Sequence, residues 1–153
     1  MLTRIFPKQF DNAFAGWRLA IWLFVPIVIV ELGIGANSMI STRMVAMSAD
    51  GIPLDRYGKE AADAVVALFA LLGLSRLVIA LLCALALIRY RSMLPLLYLT
   101  LLLLHLGARV LNALHPIASA GAAPGGLVVN ALLALLVLGF VLSLVRKPDR
   151  IAA

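Results

Sequence analysis

Six polar side chains interrupt an otherwise apolar chain: Glu31, Arg76, His105, Arg109, Asn112 and Asn130. One carboxylate, two guanidiniums, one imidazole and two amides can do three kinds of work in apolar surroundings. They can hold a proton, bind an anion, or lock helices together through ion pairs and hydrogen bonds. His105, Arg109 and Asn112 are spaced four and three residues apart, which puts them on one stripe of a helix; Tyr98 and Leu102 extend the stripe. A charge in hydrocarbon costs at least a few kcal/mol unless it is paired or hydrated. Glu31 paired with Arg76 or Arg109 relieves most of that cost. With His105 neutral, the other arginine is a surplus positive charge, to be met by water, an anion or a partner's carboxylate. The competing reading is a knot of ion pairs that fixes helix packing and nothing more.

The elements that position these residues follow from composition. Of 153 residues, 64% are hydrophobic and 13% charged, and the mean hydropathy is +1.09. A soluble domain of this size cannot bury so much apolar surface. The expected fold is an all-α integral membrane protein, a four-transmembrane-helix bundle forming a single domain over residues 1–153. Its spans are expected near 17–39, 61–88, 93–114 and 126–144. Each reaches the length of about 20 residues that a bilayer requires. The runs lack the alternation of membrane strands, and a backbone in lipid must satisfy its own hydrogen bonds, which leaves helices. At 1.5 Å per residue from the cytoplasmic end, Glu31 lies at roughly 21 Å, Arg76 and His105 at about 18 Å, Arg109 at roughly 24 Å and Asn130 at about 21 Å. All five fall in one slab.

Basic residues set the expected orientation. Arg4, Lys8, Arg18, Arg89, Arg91, Arg146, Lys147 and Arg150 fall on one side, against Arg43, Arg56 and Lys59 on the other. Since basic loops stay in the cytoplasm, both termini are expected there, in a multi-pass protein of the plasma membrane, specifically a bacterial inner membrane. Phe6, Phe10 and Phe14 recur every four residues, so residues 1–15 read either as an interfacial segment or as a frayed leader. A cleavable signal peptide fits poorly, because the apolar run continues past any cleavage point and contains Glu31. Residues 40–60 are expected to be the outer loop, turning at Ala49-Asp50-Gly51-Ile52-Pro53. The connection from His115 to Gly125 reads as a plain turn.

Other chemistries find little footing. The net charge of +6 sits at the ends of apolar runs rather than in an aromatic-interleaved patch, so nucleic acid is not an expected partner. His105 and His115 are roughly 15 Å apart along one helix, too far to share a haem iron. Met39, Met44 and Met47 could hold a soft metal but read as packing residues. Cys83 is the only cysteine, mid-span, and Ser75 has no base placed to activate it. No catalytic set, metal or cofactor is expected.

The stretch Ile29-Val30-Glu31-Leu32-Gly33, a glutamate in the first of four short helices, resembles the small multidrug resistance transporters, whose essential carboxylate sits there. The intramembrane arginines, the long outer loop and the eight-to-three basic bias depart from that family's pattern, and no function is carried over from it. The expected function is that of a non-enzymatic accessory or interaction subunit of a larger membrane assembly. Its polar layer would serve packing or docking, with lipid and other membrane proteins, or further copies of itself, as partners. The alternative is a small carrier for an anionic or amphipathic solute, using Glu31 with Arg76 and Arg109. An in-chain repeat that could build alternating access is missing, which favours the first.

Overall fold

The computed structural model describes residues 5–7, 9–115 and 125–145, and among these every regular element is helical. Four helices are long and apolar enough to cross a membrane: α1 (Arg18–Ile40), α3 (Lys59–Arg89), α4 (Leu94–Leu114) and α5 (Gly125–Leu144). A short α2 (Thr42–Ser48) follows α1. The spans match their expected positions to within a few residues.

Local sequence explains where the helices start and turn. Pro95 sits in the first turn of α4, where a missing N–H costs nothing. Pro26 lies inside α1 and leaves the Trp22 carbonyl without its helical donor. Gly51 has φ 69°, a left-handed turn conformation that a side chain would oppose.

Close packing of α1 on α3 rests on two glycines. A Cβ at Gly35 would stand 2.7 Å from the Leu77 nitrogen, and one at Gly73 would stand 2.8 Å from the Met39 nitrogen. Backbone thus meets backbone, the small-residue contact on which helix association in lipid depends. The main core lies toward the start of α1, where Ala20, Phe24, Ile27, Tyr98, Leu101 and Leu136 are buried. Trp17 N donates to Leu142 O at 3.1 Å, so the start of α1 and the end of α5 share one end of the bundle.

The stretch expected as an outer loop is more ordered than a loop. Residues 40–60 contain α2 and a 3-10 turn at Leu54–Arg56, and Ala46, Ile52 and Leu54 pack with Val65, Val66 and Phe69 in a core of their own. Val45, Ala46, Ile52 and Leu54 supply enough apolar surface to fold the segment down onto α3, a signal outweighed in sequence by Gly51 and Pro53. Residues 1–4 and 8 of the candidate interfacial segment lie outside the described residues, as do 116–124 and 146–153. Residues 9–17 are not helical; Phe10 is exposed, whereas Phe14 packs on the core. Asp11 ties this stretch to the α3–α4 turn, its N–H donating to Ser92 Oγ at 3.0 Å.

Candidate functional site

Glu31 projects from α1 into the bundle interior and is 2% exposed. Two groups meet its two oxygens. His105 of α4 places Nε2 3.1 Å from Oε1, and Arg76 of α3 places Nε 3.7 Å from Oε2. His105 is equally buried, whereas the Arg76 side chain is 30% exposed. The site therefore joins three helices, with a dry face at His105 and a partly open face at Arg76.

Hydrogen bonding fixes more than charge counting can. The second nitrogen of His105, Nδ1, lies 2.9 Å from the Leu101 carbonyl oxygen. A carbonyl only accepts, so Nδ1 carries the hydrogen. Nε2 of a neutral ring would then present a lone pair to Glu31 Oε1, itself an acceptor. Neither atom has another hydrogen-bond partner among the described residues. Two bare acceptors buried at 3.1 Å repel, so this contact is satisfied only with a hydrogen between them.

Arg109, Asn112 and Asn130 are placed elsewhere. Arg109 Nη2 donates to Asn130 Oδ1 across α4 and α5, and this pair lies on the exposed surface of the bundle. Asn112 is exposed on the same outer part of α4. The six polar residues thus form a buried group on α1, α3 and α4 and an exposed group on α4 and α5. The stripe through Tyr98, Leu102 and His105 is buried, and it emerges at Arg109, where residues 108–115 are all exposed. Two recesses lie at opposite ends of the bundle, one of about 270 Å³ lined by Arg43, Asp55, Lys59 and Asp63, the other of about 110 Å³ lined by Phe14, Ser92 and Ser143. Neither includes any of the six residues.

Four further interactions escaped sequence reasoning. Tyr98 donates its hydroxyl to the Ala20 carbonyl at 2.7 Å, and its ring packs against Phe24 with centroids 4.7 Å apart. Gly139 of α5 faces that ring so closely that a Cβ there would collide with it. Asp50, in the turn after α2, feels the Arg76 guanidinium: desolvation pushes its carboxyl above the usual carboxylate range, and Arg76 pulls it part of the way back. A tyrosine seven residues before His105 and a glycine in α5 were visible as residue types, but their pairing needed helix positions. Among the described residues, no group of three or more His, Cys, Asp or Glu side chains could hold a metal ion. Comparison with protein families, with curated proteins and with solved structures yields no match.

Proposed function

We propose that this chain is a four-span inner-membrane protein with both termini in the cytoplasm, acting as a non-enzymatic accessory subunit that docks to another membrane protein. Basic asymmetry supports the orientation. The observation that carries the docking role is the exposed Arg109–Asn130 pair within apolar helices. Asn130 supplies a hydrogen-bond acceptor but no charge. Glu31, the sole carboxylate at comparable depth, is already engaged by Arg76 and His105. Side chains on a helix lean toward its N-terminus, which on α4 directs Arg109 away from the nearer headgroups. Ala108, Ala113, Ala131 and Ala134 are exposed around the pair, so a neighbouring helix can come close. The occupant that satisfies this face is a transmembrane helix of a different protein carrying an aspartate or glutamate.

The test is purification in nanodiscs followed by intact-complex mass spectrometry. A heteromeric complex is expected, weakened at least tenfold by Arg109→Gln. Arg109→Glu should abolish it, and a basic residue at the partner's carboxylate should restore it. A bare homo-oligomer unaffected by Arg109→Gln, or only bound lipid, refutes the docking role. The partly exposed Arg76 favours a second reading, a small carrier for an anionic or amphipathic solute with Glu31. Under that reading phosphate or an anionic detergent raises the melting temperature of the isolated protein, and Arg76→Gln removes the effect.

A further inference from the structure

We propose that Glu31 and His105 form a proton-binding site which takes up one proton and, while holding it, ties α1 to α4. The site's occupant is the proton itself, bound between Glu31 Oε1 and His105 Nε2. Three observations support it. Both side chains are 2% exposed, and the facing atoms have no other hydrogen-bond partner among the described residues. The Leu101 carbonyl commits Nδ1 as a donor, so the Nε2–Oε1 contact is complete only with one added proton. Arg76, the other group on Glu31, is the one member whose side chain is partly exposed, at 30%.

The proton balance is simple. Without the added proton the group comprises a carboxylate, a neutral imidazole and a guanidinium, net zero. With it the group is net +1, either as carboxylate with imidazolium or as carboxylic acid with imidazole. These are two tautomers of one protonation step, in which a proton leaves water and bridges Oε1 and Nε2. On release, two acceptors face each other and the contact between α1 and α4 must open. Among the described residues, the remaining hydrogen bond between those helices is Tyr98 to Ala20, nearer the start of α1. Loss of the proton therefore loosens α4 beyond His105, the part that carries Arg109.

Other ionisable groups around the site do not replace this proton. From α3 come Arg76, already counted, and Cys83, a buried thiol within electrostatic range of Glu31. From α4, Tyr98 is committed to Ala20 and Arg109 to Asn130. The described part of α5 has no ionisable side chain, and Arg43 of α2 pairs with Asp55 at 3.5 Å.

The experiment is infrared difference spectroscopy of the full chain in nanodiscs, titrated from acid to alkaline pH with isotope labels on histidine and glutamate. A single protonation step is expected in which the carboxyl and imidazole bands change together. Glu31→Gln and His105→Gln should each abolish that step, and two variants guard against misfolding of either one. Bands that titrate independently, or a step that survives both buried variants, would overturn the site.

Discussion

Along α4, Leu94, Tyr98, Leu101, Leu102 and His105 are buried, whereas residues 108–115 are all exposed, although one stripe runs through both parts. In the first part α1 and α5 close around the stripe: Tyr98 bonds to Ala20 and packs against Gly139. In the second part only Asn130 reaches across. Burial of a helical face is thus decided by which neighbour runs beside it, not by the face's own periodicity. Lipid accepts Val110, Leu111 and Leu114, since its tails are as apolar as they are. A charged side chain such as Arg109 is costly in the same surroundings, so exposure means different things for the two residue types.

The packed part can be broken where backbones approach most closely. Gly35→Leu should cost about 3 kcal/mol, the upper end of overpacking penalties, because the Leu77 backbone cannot yield. Gly33→Leu, two residues away with nothing within 4 Å, should change stability by less than about 0.5 kcal/mol. Unfolding in mixed micelles would measure both, and equal losses would contradict the asymmetry. Next in size is Tyr98→Phe, which should cost about 1 kcal/mol by removing one buried hydrogen bond. Native-state hydrogen exchange should show that loss concentrated between α1 and α4.

A smaller, pH-dependent effect belongs to Asp50. The folded protein keeps the Asp50 proton to higher pH than the unfolded chain does, because desolvation raises this carboxyl. Its contribution to stability therefore falls as pH rises from the ordinary carboxylate range toward neutrality. Below that range the group is protonated in both states and contributes nothing. Asp50→Asn should flatten this portion of a stability-versus-pH curve and leave the most acidic points unchanged.

The smallest expected change is that of Arg109→Gln on the isolated protein, within about 0.5 kcal/mol, because the residue is exposed. A thermal melt showing a loss of 2 °C or less would fit, by the usual conversion of stability into melting temperature for a chain of this size. A larger loss would make the Asn130 contact a structural tie and erase the contrast between the two parts of α4.

Four long apolar helices and their approximate limits were legible in the sequence, because hydropathy and rise per residue act along one helix at a time. The ordered structure of residues 40–60 was not, since Gly51 and Pro53 mask a short apolar helix that folds back on α3. Nor could depth alone reveal that His105 reaches Glu31 while Arg109 does not. Both lie on one stripe and at similar height, and only the path of α5 and the outward course of α4 separate them. Arg76 was one of two candidates for Glu31, and the choice depended on the Gly35–Gly73 contact that brings α3 against α1.

The hydrogen bond from Trp17 to Leu142 has a consequence for biosynthesis. A ribosome delivers Trp17 early, but its acceptor belongs to α5, more than 120 residues later in the chain. Until then α1 can pair with α3 through their glycines, forming a hairpin whose Gly16–Trp17 end is still undocked. Docking of α5 is therefore a stitch rather than an addition: the helix presents Leu142 and Ser143 and fastens a segment made long before it.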